Sequence, residues 1–266
     1  VRPGSIAFNH RLVELKETAN AVQLRFDNGV TVEADIVIGA DGVNSRVREH
    51  LIGPEPPRFI GMAAHRAIFP AELLDGYEIP DCTKWWGGDR HLLVYYMTNR
   101  RDEVYVIGVR PWKSWDSATV PLPSSREALL EAFGHFHPDL HRVLNVVRDV
   151  SLWPIFDRAR NDRWSGGRVV LLGDSCHPVP PFMAAGGAMA IEDAAILSRC
   201  LVEFDTPAKA FRSYEATRQT RVGDVQRISW ENTWMGGPTD TDWFYCYDAC
   251  AAPLAAAPAR QRATSQ

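Results

Sequence analysis

The 266-residue chain reads as an α/β protein with a mixed β-sheet segment inserted between two strand–loop–helix units. Three observations carry this. DIVIGA at 35–40 and RVVLL at 168–172 are short apolar runs rich in β-branched residues, as in strands buried on both faces of a parallel sheet. Each runs into an Asp/Gly pair (Asp41-Gly42, Gly173-Asp174) and then into helical sequence. Between them, from about 58 to 153, lie several strand patterns and two helices, set off by Pro54, Pro56 and Pro57.

In chain order, 21–26 (AVQLRF) alternates, Asn28-Gly29 supplies a hairpin turn that tolerates positive φ, and 30–32 resumes the strand. Helical character follows the first Asp-Gly pair over 44–51. Strands are expected over 63–69, 83–86, 92–98 and 104–109. A helix is expected over 124–134, with Ser124 as N-cap and Glu127 completing a capping box, and a second over 138–147. After the second buried strand come a Pro-rich loop (HPVPPF), the pair Gly186-Gly187, a helix over 188–203 and an amphipathic, Arg-rich helix over 206–230. The Arg-rich face is expected to be solvated. Beyond 235 the chain turns irregular, and after 251 it is Ala/Pro-rich and expected to fray.

Composition excludes several classes. With 45% apolar and 23% charged residues the bulk is globular. A net charge of −4 without a basic block makes nucleic acid a poor partner. No apolar run reaches the roughly 18 residues of a membrane helix. The chain opens VRPGSIAFNH, without a signal-peptide pattern, and its five Cys include no CxxC, so reduced thiols and a cytoplasmic protein are expected.

The chemistry is expected in the two Asp/Gly motifs. An Asp at the carboxyl end of a buried strand can accept hydrogen bonds from sugar hydroxyls; the plainer alternative for Asp174 is a turn cap. A Pro-rich loop makes a rigid wall. A Gly pair opening a helix lets a ligand approach the backbone N–H groups and the positive end of the helix dipole. His135, His137 and His141 fall around Pro138 without a completing carboxylate, so no metal site is expected. Cys246 and Cys250, among Trp243, Tyr245 and Tyr247, suggest core or interface, and Trp230, Trp234 and Trp243 suggest packing.

GDSCHP, the Gly pair and AIEDA, with ADIVIGADGVNSRVRE upstream, resemble the two motifs of the flavoprotein aromatic hydroxylases; Asp41, Gly42, Ser45 and Arg48 match the upstream one. The resemblance implies a partial glutathione-reductase-like FAD-binding domain (1–57 and 158–235), interrupted by a mixed-sheet substrate domain (58–157) and followed by a tail (236–266). It implies that Asp174 binds the ribityl chain of FAD and that the Pro178 loop lies against the isoalloxazine. Gly186, Gly187 and Ala188 would sit near its pyrimidine end. Asp41, Gly42 and Arg48 would serve the pyrophosphate and nicotinamide side; the plainer reading of Arg48 is a surface cation. NADH or NADPH would reduce the flavin, and oxygen would add to give a C4a-hydroperoxide that hydroxylates a small aromatic substrate. The family's GxGxxG is absent from these residues, so the chain is expected to be the C-terminal part of a longer hydroxylase. The alternatives are a truncated remnant without FAD, or a flavin reductase, halogenase or epoxidase of the same fold. No oligomeric state is assigned.

The segment 82–109, with AAHRAI and SLWPIFDR, is similar to the family members that hydroxylate a hydroxypyridine carboxylate. Alternation puts His91, Leu93 and Tyr95 on one strand face. By the likeness, Tyr95 and His91 are the catalytic candidates, exchanging a proton with a ring hydroxyl, His91 on the ground that His titrates near neutral pH. Cys82 and Phe182 are the substrate-wall candidates, Phe182 standing where His is expected in similar members. The plainer readings are a packed strand Tyr, a surface His and a buried structural Cys.

Overall fold

A computed structural model describes residues 1–117, 120–234 and 237–257. The chain forms two compact units, Val1–Pro57 together with the chain from Asp157 onward, and Arg58–Phe156.

The first unit begins with an antiparallel sheet of β1 (Leu12–Glu17), β2 (Val22–Phe26) and β3 (Thr31–Ala34). Gly29 turns the β2–β3 hairpin at φ 84°, a region that costs glycine nothing. β1 lacks a clean alternation and is found only through its pairing with β2. The DIVIGA run forms β4 (Val37–Gly39), followed by α1 (Arg46–Ile52). Burial on both faces fails at Ile38, which is 42% exposed, because β4 ends the three-strand sheet of the described residues. At Gly39 an added Cβ would lie 2.7 Å from Val47, so α1 rests directly on the strand.

The second unit is a six-stranded sheet. Its strands are β5 (Arg58–Pro70), β6 (Cys82–Gly87), β7 (Arg90–Tyr96), β8 (Glu103–Pro111), β9 (Leu122–Ser124) and β10 (Val150–Asp157), in the order β6-β7-β8-β5-β10-β9. The pairs β6/β7, β7/β8, β8/β5 and β10/β9 are antiparallel. Two helices, α2 (Arg126–Phe133) and α3 (Pro138–Val146), cover one face. There Phe69, Leu92, Val94, Val104 and Val106 meet Leu129, Phe133, Leu140 and Leu144 in one core. Phe133 lies so close to Gly108 that an added Cβ would come within 2.4 Å of its ring. The expected N-cap shifts by one residue. Ser125, not Ser124, accepts the Ala128 N–H, because Ser124 is held in β9 opposite Val150.

The chain returns to the first unit with β11 (Ser165–Gly166) and β12 (Val169–Leu171), then α4 (Gly186–Glu203), α5 (Pro207–Glu231) and the short α6 (Asp242–Tyr245). β12 pairs in parallel with β4, Val170 opposite Ile38. Val169, Leu171, Met189, Ile196 and Tyr214 centre the core. The sequence after 251 does not fray as far as residue 257. Arg199 donates to the carbonyls of Ala249 and Ala252, each at 2.8 Å, and Ser213 donates to that of Ala255 at 2.6 Å. The rest of the expected tail, 258–266, lies outside the described residues. Nor is the Arg-rich helix face solvated throughout, since Arg218 is fully buried. Cys246 and Cys250 are exposed rather than core, whereas Trp234 packs against Trp243 and Phe244.

Candidate active site

In the first unit, parallel pairing of β4 and β12 brings the two motif loops together. Asp41 closes the β4–α1 loop on itself. Its carboxylate accepts from Ser45 Oγ (2.5 Å) and from the N–H groups of Arg46 (2.7 Å) and Val47 (3.2 Å). Ser45 Oγ in turn accepts the Arg48 N–H at 2.8 Å. Asp41 therefore caps α1, offsetting unsatisfied N–H groups and the positive end of the dipole. Gly42, at φ 78°, has open space where a side chain would stand.

Arg48 is no surface cation. It is 2% exposed, and its guanidinium donates to the Cys176 carbonyl at 2.8 Å, to the Ser175 carbonyl at 3.4 Å and to Glu55 at 2.9 Å. It ties α1 to the second motif loop. Ser175 reinforces that tie from the other side, donating to the Gly39 carbonyl at 2.5 Å. These bonds engage both terminal nitrogens of the guanidinium and fix the loop, while its Nε is buried without a hydrogen-bond partner among the described residues.

The second loop holds Asp174, Pro178 and Phe182 ahead of α4. Gly173 takes φ 60°, and an added Cβ would stand 3.0 Å from Ala190, so the turn needs glycine. Asp174 is exposed, and no side-chain hydrogen bond is formed by it among the described residues, which removes the turn-cap reading. An added Cβ at Gly186 would come 3.7 Å from Asp174 Oδ1, so the carboxylate stands beside the start of α4. That helix is 18 residues long, has no side-chain cap and carries no acid in its first turn. Gly187 and Ala188 are exposed, and the space at Gly187 is open. Pro178 and Phe182 are buried parts of the wall, Pro178 fixed by Gln226 Nε2 at 3.3 Å from its carbonyl.

A buried ion-pair network behind the loop was missed in the sequence, although it includes the Glu-Asp pair of AIEDA. Asp193 Oδ2 accepts from His177 Nε2 at 2.6 Å and from the Gly173 N–H at 2.9 Å; Oδ1 accepts from Arg218 Nε at 2.8 Å. Glu192 pairs with Arg218 at 2.6 Å and with Arg221 at 2.7 Å. Burial raises the Asp193 pKa, but the His177 hydrogen bond and the charges of His177 and Arg218 outweigh it and hold the group below its ordinary value. The available signal was the pairing of an acidic dipeptide on one helix with excess arginine on the next.

In the second unit, the register places Cys82 opposite Tyr95, Lys84 opposite Leu93 and Trp86 opposite His91. Across β8 and β5 the same face continues with Tyr105, Ile107, Ile68 and Arg66. It is the face away from α2 and α3. Tyr95 is half-buried and its ring meets Tyr105 edge-on at 5.2 Å. Burial, then the neighbouring Tyr105 and Cys82, push its phenol pKa up. Cys82 is exposed, not a buried structural thiol, and burial of its sulfur raises its pKa. His91 is buried, 4% exposed, with Trp86 at 5.2 Å. Burial and then Lys84 lower its pKa to about 3. The neutral-pH titration expected of His91 is therefore absent, and it stands as a neutral imidazole. Lys84, missed in the sequence, lies on this face with its ammonium 3.8 Å from the Trp86 ring centre, and burial lowers its pKa to about 8.

Among the described residues no group of three potential metal ligands gathers, and no helix is long and apolar enough to cross a membrane. A family profile described as an FAD binding domain matches residues 2–229. The chain belongs to this FAD-binding-domain family. It is 46% identical over 254 residues to the 6-hydroxynicotinate 3-monooxygenase of Bordetella bronchiseptica, covering 94% of this chain and 66% of that protein. It is 44% identical to the enzyme of the same name from Pseudomonas fluorescens, covering 95% and 67%. The chain thus spans about two thirds of the length of these relatives. Its fold matches that of a salicylate hydroxylase in a substrate complex, with TM-score 0.80 at 23% identity over 94% of this chain and 71% of the other. The loop residues of this family member fit FAD. An uncapped helix start with exposed glycine, beside an acid free to accept, suits a ligand with sugar hydroxyls and an electron-rich ring.

Proposed function

We propose that the chain carries the flavin cradle and ring-recognition sheet of an FAD-dependent monooxygenase acting on a hydroxypyridine carboxylate such as 6-hydroxynicotinate. The carrying observation is Asp174, which keeps an exposed carboxylate beside the uncapped start of α4. The first unit is part of a glutathione-reductase-like FAD domain (1–57 and 158–235), and residues 58–157 are the substrate domain. Bound FAD, reduced by NADH or NADPH, would supply the oxygen-activating chemistry.

The chain's own residues bind and orient. Asp174 accepts from ribityl hydroxyls. Gly186, Gly187 and Ala188 present N–H groups where negative charge develops on the ring, an arrangement that stabilises charge without reorganisation. Pro178 and Phe182 wall the loop, and Asp41, Gly42 and Arg48 hold its companion. On the sheet, Tyr95 is protonated at neutral pH as any phenol is, and burial only strengthens this, so its hydroxyl can donate to the substrate oxyanion. The ring hydroxyl gives up its proton to solvent on binding, and the resulting oxyanion is richer in electrons and reacts more readily with an electrophilic oxygen donor. His91 offers an uncharged hydrogen-bonding nitrogen, and Cys82 lines the wall opposite Tyr95. The test is FAD titration by flavin fluorescence, with the chain alone and with the chain fused to the part of the Bordetella relative that it does not cover, followed by product analysis with 6-hydroxynicotinate. Hydroxylated product from the fusion supports the reading. A folded fusion that holds FAD and leaves the ring untouched overturns the substrate; one that holds no FAD overturns the cradle.

A further inference from the structure

The Tyr95-bearing face of the sheet carries a second feature with no role in the binding scheme above. A cleft of about 660 Å³ opens within the second unit, lined among others by Arg66, Ile68, Tyr105, Ser151 and Trp153. Arg66 is its unusual member. The guanidinium stacks over the Trp153 ring with 5.0 Å between centres. Among the described residues it pairs with no carboxylate, and its Nε is buried without a hydrogen-bond partner. Buried polar groups are seldom left so.

The stack is a built one. Trp153 Nε1 donates to Ser151 Oγ at 2.9 Å, and Ser151 Oγ donates to the Arg66 carbonyl at 3.3 Å. The indole is therefore fixed by its edge, and its face supports the guanidinium. An arginine supported on one face by an indole keeps its N–H donors at the edge of the guanidinium, and that planar set can take a carboxylate with two parallel hydrogen bonds. The other charged residues of the lining, Arg148 and Asp149, are exposed and opposite in sign, so Arg66 sets the local charge.

Position supplies the rest. Tyr105 lines the cleft and touches Tyr95 at 5.2 Å. Tyr95 stands on β7 opposite Tyr105 of β8, and Arg66 stands on β5 opposite Ile107, two residues along, so two strand spacings of roughly 4.8 Å and two residues of roughly 3.4 Å rise separate their backbones. Two such side chains can hold the opposite ends of a six-membered ring. We propose that Arg66, stacked on Trp153, binds the carboxylate of an aromatic acid and so turns the para hydroxyl of the ring toward Tyr95. This deepens the hydroxypyridine-carboxylate reading and rests on it. Arg66 is then a specificity residue that selects acids over neutral rings.

The test is calorimetric titration of the chain with 6-hydroxynicotinate and with 6-hydroxynicotinamide, which keeps the ring and hydroxyl but not the charge. The parent is expected to bind the acid roughly 10- to 100-fold more tightly, as for a charged hydrogen-bonded pair. Arg66→Gln should bring the acid down to the amide's affinity and leave the amide unchanged. Arg66→Lys, which keeps the charge but not the fork, should fall between. Arg100→Gln, at an exposed cation outside the cleft, should change neither ligand more than about twofold. Acid and amide binding alike to the parent overturns the carboxylate subsite, even if Arg66→Gln fails to fold. If both then weaken in Tyr95→Phe, the hydroxypyridine reading survives it; if the parent binds neither, both readings fall.

Discussion

Replacing Arg218 by Met tests whether the ion-pair network fixes the second motif loop. Arg218 is fully buried, and so is Asp193 beside it. The guanidinium bonds Asp193 at 2.8 Å and Glu192 at 2.6 Å. Met fills much of the same space, so the loss is chiefly electrostatic. Asp193 would be left buried with only His177 and the Gly173 N–H as partners. Breaking one side of a buried pair costs about 3–5 kcal/mol. For a unit of this size that is a fall in Tm of roughly 6–20 °C. The pH dependence has a definite sign. The folded pKa of Asp193 lies below its ordinary value, so its stabilisation is complete above the unfolded pKa and fades as pH falls through the folded one. Without Arg218 the folded pKa rises and the acid loss begins at higher pH. Thermal and urea unfolding followed by circular dichroism at pH 7 and pH 4.5 would read both effects. A cycle with Asp193→Asn should show non-additive losses, as for groups in one network. An Arg218→Met protein within about 1 kcal/mol of the parent, additive with Asp193→Asn, would refute the reasoning.

Three further outcomes follow from the same geometry. Asp174→Ala should weaken FAD retention in the fused chain about tenfold or more without changing Tm, read by flavin fluorescence. Tyr95→Phe should slow hydroxylation in that fusion by about 10²–10³, as for loss of one oxyanion donor, while substrate affinity changes less, with more peroxide released per reductant, seen in single-turnover oxidation. His91 and His65 have folded pKa values lowered to about 3 and about 4, mainly by burial, so the protein should lose stability as pH falls from about 6.5 toward those values. His91→Gln should flatten that loss by up to about 1.4 kcal/mol per pH unit and leave the activity profile between pH 6 and 8 unmoved; a shifted optimum there would restore His91 as a titrating group.

Much of the fold was legible where local pattern and tertiary demand agree. The strands of the inserted sheet announce themselves by alternation, and Asn28-Gly29 announces its turn because few other residue pairs tolerate that backbone. Where neighbours decide, the sequence misled. Ile38 looks as buried as Val37, yet its exposure depends on whether a strand lies beyond β4, which no local pattern encodes. Ser124 and Ser125 are equally good caps, and the choice was made by β10, which claims Ser124 for a ladder 26 residues away in sequence. The Ala/Pro-rich stretch after 251 has the composition of a loose end. It is held to residue 257 by Arg199 and Ser213, whose value as anchors appears only once α4 and α5 bring them to its carbonyls.

The site divides along the same line. The placement of Asp174 and of the Gly pair was legible because each depends on its own backbone setting: a strand end, a helix start. The burial of Arg48 was not, since a cation on a short helix is ordinarily solvated, and the carbonyls that hold it lie 127 and 128 residues away. Alternation placed His91 on the Tyr95 face, but the burial that lowers its pKa to about 3 has no signal in the local pattern. Facing is a property of the strand, whereas a pKa belongs to everything packed around the ring. The same reasoning makes Arg66 informative. An arginine in a strand is unremarkable in sequence, and only the assembled face shows that its charge is supported by Trp153 and answered by no acid. Its buried Nε, without a hydrogen-bond partner among the described residues, is a donor that an anion supplied from outside the chain would satisfy.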